Sequence, residues 1–551
     1  MNQDIESAEF DALAREFADW VLSSFPTFAT FAGVHRYDDR LQDMSAAGFE
    51  ETVRRARGFG ERAETLRPAS IGQEIDLALI RSTAWSTINT HETLREWTRQ
   101  PSLYLREALF GTYLLLLRDF APLEERAANL ARRLRLIPTL MEQARANLDR
   151  PPRTWTDTAI REAEGGIRFF TEQAASLDTS AVGERLAGEV SQAALQAVKA
   201  IKTFRDFLED DLLPRSDGEF AVGEQTWNAI VRESQMLDAD AAEILERGKQ
   251  LVESTRAELK AVCASVDAGT GWKELLRRYR NDHPSPDQLM EVYIEAVGAS
   301  RDFVMESGFA GIPEGERLEV RETPGFQRPV IPYAAYVSPG AFEKQQEGIF
   351  WVTPVDDDMS ADHKQAKLRS HANGKIPVVA LHEGYPGHHL QLTWSNKVSS
   401  LVQDVANTST LFVEGWAFYC EEIMDRQGFL NDPASKVFRL ADQLWRAYRI
   451  VIDVGLHCDG LAAEEAVRML VEEAGLEEPD AQAEVRRYTQ SPTQPMSYLI
   501  GKEEILKVLE EYRRHRPGQS LRQTHDAVLG CGSLAPTLLR RKLLGASETR
   551  V

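Results

Sequence analysis

Leu381-His382-Glu383-Gly384-Tyr385-Pro386-Gly387-His388-His389-Leu390-Gln391 gathers three of the chain's eleven histidines into one short run, with a carboxylate beside the first. Neutral imidazole is a common zinc ligand, and a neighbouring carboxylate can take a proton from a metal-bound water. The run therefore reads as a metallohydrolase centre. It departs from HExxH, in which two histidines one helical turn apart face the metal. Position +4 from His382 is Pro386, which cannot ligate and which interrupts a helix. The competing reading is a surface turn rich in histidine, so the remaining parts of a metal site must be sought elsewhere in the chain.

Downstream lies Leu411-Phe412-Val413-Glu414-Gly415-Trp416-Ala417-Phe418-Tyr419-Cys420-Glu421-Glu422. Phe412, Val413, Trp416, Ala417, Cys420, Ile423 and Met424 make an apolar helical face. Glu414 sits among them, and a buried carboxylate is costly unless it is paired, protonated or on a metal. It is a candidate third zinc ligand; the alternative is a structural ion pair with an arginine. Further on, Arg449, Asp453 and His457 recur every four residues and share one helical face. That stripe suggests a polar wall, against the plainer reading of a solvated face. Tyr488 and Tyr498 flank a proline-punctuated segment, and a tyrosine hydroxyl there can serve a developing oxyanion or simply pack.

Working back towards the N-terminus, the first three hundred residues read as helix after helix. Phe10, Leu13, Phe17 and Val21 recur at helical spacing, as do Leu195, Val198, Ile201, Phe204 and Leu208. A further helix is expected roughly over 238–263 with a solvated outer face. Pro26, Pro138, Pro151-Pro152 and Pro214 mark expected breaks or kinks, and no fixed-period repeat argues for a solenoid. Between Ser307 and Pro354, glycines and prolines interrupt short apolar runs such as 333–337 and 348–352. This stretch reads as loops with a small sheet, whose edge could pair with extended substrate, or as an irregular connector. Helical texture resumes at Asp362.

Composition bounds the function. The net charge of −22 opposes nucleic acid and anionic membranes as partners. No apolar run reaches the roughly 18 residues of a membrane span; the cluster 113–117 is far too short. The acidic start lacks a secretory pattern. Cys263, Cys420, Cys458 and Cys531 are scattered, with neither disulfide nor thiolate-site spacing. A reducing, cytoplasmic setting is the expectation, with no prediction of oligomeric state.

The chain resembles the bacterial "domain of unknown function 885" family. The resemblance rests on the run from His382 to Gln391, on Val413-Glu414-Gly415-Trp416-Ala417, on Asp453 with Gly455-Leu456-His457, and on Ser497-Tyr498 with Gly501. Near the start, Gly33-Val34-His35-Arg36-Tyr37-Asp38-Asp39 also looks like the family, with a structural turn as its expected role. The order of parts is also similar to the helical zinc peptidases that include angiotensin-converting enzyme, thimet oligopeptidase and the thermostable carboxypeptidases. That second resemblance implies His382 as first ligand, Glu383 as general base, Glu414 as third ligand, and a later histidine and tyrosine assisting the transition state. For the second ligand His388 and His389 both stand. An unbroken helix would favour His389 at +7, and the break at Pro386 favours His388.

The resulting expectation is a mainly α fold, two-lobed with a deep cleft and a minor β element. Residues 1–306 form a helical half and 307–551 a metal-bearing half of one continuous unit. The expected activity is a zinc-dependent peptidase, acting as a carboxypeptidase or dipeptidase on short peptides. His382, His388 and Glu414 hold Zn2+, Glu383 is the base, Tyr498 with His457 stabilises the oxyanion, and Arg449 pairs with a substrate carboxylate or holds Asp453. A hydrolase of non-peptide amides or esters uses the same centre. A non-catalytic binding protein with a structural metal has no need of Glu383.

Overall fold

The computed structural model describes residues 2–176, 179–328, 331, 333–356 and 359–545. It is 72% helix and 3% strand, so the mainly α expectation holds. The helical spacing of the first residues becomes the helix Asn2–Ser24, whose Phe10, Leu13, Phe17 and Val21 are buried. The stripe near residue 200 lies on the helix Glu184–Phe207, with one correction: Leu195 is 66% exposed. At 3.6 residues per turn it sits about 120° around the helix from Ile201, and Ala194 and Ala197 face the core in its place. Pro26 opens the helix Pro26–Ala32 at a first-turn position, where its missing N–H costs nothing. Pro138 lies inside the helix Leu123–Asn147 without ending it.

Strands occur where the glycine- and proline-rich segment was read. β1 (Glu316–Glu322), β2 (Ala334–Val337) and β3 (Gln346–Val352) form one sheet in the order β1-β3-β2. β1 runs parallel to β3, with Glu316 opposite Gln346, and β2 runs antiparallel, with Ala334 opposite Val352. The central strand is covered on both faces. Phe350 and Val352 join a core with Phe17, Leu381 and Trp416. Ile349 and Trp351, pointing the other way, pack on Leu114 and Leu117. Core residues from both sides of position 306 mix. The helix α1 (Ala241–Val266), capped by Asp240 and Glu243, contributes Ile244, Val252 and Leu259 to the core that holds Leu444 and Ile450.

The segment 33–39 is a structural turn. The Asp38 carboxylate accepts from Thr30 at 2.6 Å, and the buried Arg133 guanidinium donates to Thr30 Oγ1 and to the Pro26 and Tyr37 carbonyls. His35 stacks on Phe120 at 3.7 Å and bridges Asp38 (3.0 Å) and Glu343 (3.3 Å). It thereby ties the N-terminal helices to the loop between β2 and β3. Burial alone would lower the His35 pKa, but Asp38 and Glu343 outweigh it and raise it to about 9. A folded-state pKa above the unfolded 6.5 means the clamp contributes fully below about pH 6.5 and fades as pH rises through about 9. His35→Gln should therefore lower Tm clearly at pH 6 and much less at pH 10. Equal losses at both values in thermal melts would show that the charge is irrelevant to the clamp.

Candidate metal centre

Two short helices meet at the histidine run. α2 (Ile376–Glu383) stops at Gly384, and α3 (His388–Val398) starts immediately after a tight turn. The turn closes with Gly387 N–H donating to the Leu381 carbonyl at 3.0 Å. A Cβ at Gly387 would lie 1.9 Å from the His382 carbonyl oxygen, so only glycine fits. This break resets the direction of the side chains. His388, and not His389, returns to His382; their rings lie 4.6 Å apart.

The third residue comes from α4 (Thr410–Arg426). Its Trp416 indole N–H donates to the Pro386 carbonyl at 2.8 Å, which fastens the helix to the turn. Two residues earlier, Glu414 Oε2 lies 3.5 Å from His388 Nε2 and 3.8 Å from His382 Nε2. One ligand atom from each of His382, His388 and Glu414 falls within 4.8 Å of the others. Two ligands on a tetrahedral zinc sit about 3.3 Å apart given bonds of roughly 2.0–2.1 Å, so the donor set fits such an ion. Glu414 Oε2 is buried without a hydrogen-bond partner, as expected of an oxygen placed to meet a cation.

Electrostatics point the same way. Burial would raise the Glu414 pKa, yet the two imidazoles hold it well below the usual carboxylate range. Burial would lower that of His382, yet Glu414 and Glu421 bring it up to about 10. The cluster needs a positive charge at its centre, either a proton or a metal. Behind His382, Glu421 Oε1 accepts from Nδ1 at 2.7 Å. That contact fixes the tautomer, leaves Nε2 for the centre and makes the imidazole a stronger ligand. Glu421 was given no role by the sequence reading. Its place at +7 from Glu414, two helical turns along the same face, was the available signal.

His389 turns away. Its Nε2 lies 2.5 Å from Glu316 of β1 and its Nδ1 lies 2.9 Å from the Tyr336 hydroxyl of β2. Tyr385 and Arg301 complete the shell around Glu316. Glu383 ends α2 half-buried. Its charge acts on His382, Tyr293 and Tyr336, which puts it on the side of the site facing the sheet.

The Arg-Asp-His stripe lies on α5 (Pro433–Cys458), and its members separate in role. Arg449 donates through Nε to the Tyr488 hydroxyl (2.8 Å) and through Nη2 to Glu484 (3.0 Å) of α6 (Glu478–Thr489), so it does not hold Asp453. Asp453 instead accepts from the Thr493 N–H at 3.2 Å, and burial pushes its pKa up to about 8. His457 Nε2 bonds the Tyr488 carbonyl at 3.1 Å with Phe220 edge-on to its ring, and burial takes its pKa down to about 4. Both groups are therefore uncharged near neutrality. They brace the 488–496 segment, about 6 Å (Asp453) and about 12 Å (His457) along α5 from Arg449. His457 here bonds a backbone carbonyl, where a role at the oxyanion was expected.

That segment leads into α7 (Ser497–His515), which crosses α4 where two glycines meet. A Cβ at Gly415 would lie 2.4 Å from the Gly501 carbonyl carbon, and one at Gly501 would lie 2.0 Å from the Leu411 oxygen. The backbone contact sets Tyr498 close enough for the Glu414 charge to act on it. Tyr498 packs edge-on to Phe418, 5.8 Å between centroids, and Phe418 packs on His382 at 5.4 Å.

Glu414→Ala and His388→Ala should each bring zinc stoichiometry towards zero, measured by elemental analysis of purified protein. His389→Ala should keep the metal while lowering Tm. Glu421→Gln should weaken zinc binding by about 10- to 100-fold. Full zinc occupancy in Glu414→Ala would return that residue to a structural role. Gly415→Ala forces a methyl group into the backbone at Gly501 and should cost about 1–3 kcal/mol, read as a lower unfolding midpoint; an unchanged midpoint would mean that the helices can part freely.

Two solved structures share this fold. A "putative lipoprotein of unknown function" from Shewanella oneidensis aligns with TM-score 0.79 and 23% identity, covering 97% of this chain and 100% of its own. A "putative lipoprotein" from Colwellia psychrerythraea aligns with TM-score 0.82 and 18% identity, covering 97% and 98%. No curated protein matches the sequence. The neighbours' description as lipoproteins overturns the cytoplasmic setting read from the scattered cysteines. Buried reduced thiols pack as small apolar side chains and do not report the compartment. No described helix is long and apolar enough to cross a membrane. At these identities the likeness establishes the fold, while the sequence match runs from residue 26 to residue 543: the chain belongs to the bacterial family of unknown function DUF885.

Proposed function

We propose that this protein is a metal-dependent hydrolase, with zinc as the metal and short peptides as substrates. The observation that carries the reading is the three-residue cage of His382, His388 and Glu414, with Glu421 behind one imidazole and Glu383 next to it in the chain. Three protein ligands leave a position for water and substrate, as catalytic zinc sites do. These residues would hold a zinc ion, which when bound would lower the pKa of a water and polarise a carbonyl.

The chain's own residues supply the rest. Glu383 takes the proton of the attacking water and returns it to the departing amine. Tyr498, whose pKa is raised by burial and by the Glu414 charge, keeps its proton at neutral pH and donates to the oxygen of the reacting carbonyl. The sheet favours a peptide over other amides and esters. β2 is an edge strand, and its Tyr336 ring lies 6.5 Å from the His388 ring. An extended substrate can add to that edge through main-chain hydrogen bonds.

Glu383→Gln keeps size and most hydrogen bonding but removes basicity. It should retain zinc and fold while losing about 100- to 10,000-fold in kcat. Tyr498→Phe should also retain zinc and lose roughly 100-fold. Assays on a panel of short peptides, matched amides and esters check both the step and the substrate. Near-normal turnover by Glu383→Gln on a substrate that the parent cleaves would refute the mechanism. Turnover of esters alone would refute the peptide assignment.

A further inference from the structure

Beside the candidate metal centre, two arginines keep buried donor nitrogens without a hydrogen-bond partner. Arg446 and Arg449 lie on α5, one turn apart, with guanidinium carbons 3.9 Å and 4.3 Å from the Trp445 ring centroid. Arg446 Nε and Nη1 and Arg449 Nη1 are buried without a hydrogen-bond partner. The Arg449 side chain is only 3% exposed and the Arg446 side chain 15%. A buried donor without a partner is costly, more so when charged.

The surrounding charges do not balance either. Asp442 lies 3.5 Å from Arg446 and 3.8 Å from Lys375, so one carboxylate serves two cations. Glu484 lies 3.0 Å from Arg449 and 2.8 Å from Arg487, again one for two. Arg280 and Asp480, which also act on Lys375, oppose each other in sign. The patch thus carries excess positive charge in a largely buried place, which an anion would neutralise.

Its position relates it to the metal centre. Arg446 reaches the Phe418 ring (5.2 Å) and the Tyr498 ring (5.9 Å), and Arg449 reaches Tyr498 (4.5 Å). Phe418 in turn packs on His382. One aromatic ring therefore separates the Arg446 guanidinium from the cage, a distance of at most about 11 Å. An extended chain advances about 3.3–3.6 Å per residue, so an anion here lies within about three residues of a carbonyl at the cage.

We infer that Arg446 and Arg449 form a carboxylate site that holds the free C-terminus of a peptide within about three residues of the reacting bond. This rests on the hydrolase reading for its meaning, and it assigns the role expected of Arg449 to a pair in which Arg446 is the freer member. Arg449 gives two of its nitrogens to Tyr488 and Glu484 and has one left, whereas Arg446 Nε has no partner and its Nη1 has only the 3.5 Å ion pair with Asp442. A guanidinium offers parallel donors that match a carboxylate as a fork, which a C-terminal amide cannot exploit as an anion.

The test is binding, so that it stands apart from turnover. N-acetyl-alanyl-alanine and its C-terminal amide are titrated calorimetrically into the full chain after its metal has been removed by chelation. The acid should bind about 10- to 100-fold more tightly than the amide, as a charge-assisted pair predicts. Arg446→Gln should abolish that preference, and Arg446→Lys should keep part of it, with Tm confirming that both variants fold. Equal affinity for acid and amide, or a preference that survives in Arg446→Gln, would overturn the carboxylate site. A clear acid preference in a protein whose zinc form cleaves no peptide would sink the hydrolase reading and leave the anion site standing. Cleavage of acid and amide at equal rates, with equal binding, would do the reverse.

Discussion

Two helices touch backbone to backbone at Gly415 and Gly501, and the geometry of the site depends on that contact. With a side chain at either position the helices would stand apart, and Glu414 would part from Tyr498. The same helix reaches forward through the Trp416 indole to the Pro386 carbonyl. A single rigid element therefore sets the distance from Glu414 to both imidazoles and to the phenol. Packed backbone is stiffer than packed side chains because it has no rotamers to yield. That stiffness suits a site whose ligand atoms must hold their separation before any ion arrives.

Around this contact the buried charges divide into two groups. In the cage, Glu414 is held ionised by two imidazoles and His382 is held cationic by two carboxylates, so charge is concentrated where an ion belongs. Along α5 the opposite holds for Asp453 and His457. Although the two lie 3.9 Å apart, burial drives both towards their neutral forms, and each serves a backbone group of the 488–496 segment. One four-residue spacing thus contains a charged member, Arg449, and two neutral braces. Spacing alone cannot separate them, because the pKa of each depends on groups from other elements.

The residues of the candidate metal site were legible because their chemistry is local. Histidines crowded beside a glutamate, and a glutamate on an apolar helix face, are unusual at any fold. The break at Pro386 was enough to favour His388 over His389, since a helix interrupted between two residues no longer relates them by 100° per step. Glu421 passed unused although its face was computable, because a carboxylate that orients a ligand has no signature apart from the ligand it touches. Leu195 shows the complementary failure. Its spacing to Val198 fits a stripe, but the buried arc is defined by whatever packs against it, and there nothing does.

The sequence by itself determined the helical texture, the place of the small sheet, and the residue types of the cage, all of which follow from periodicity, turn residues and donor chemistry within a short window. Only the tertiary structure decided that Glu421 stands behind His382, that His389 belongs to Glu316 and Tyr336, that His457 braces a loop, and that Arg446 keeps free donors beside Tyr498. Each of these is a meeting of side chains on different elements. Such meetings are set by how helices cross and how closely their backbones approach, and neither quantity is carried by the spacing of residues along the chain.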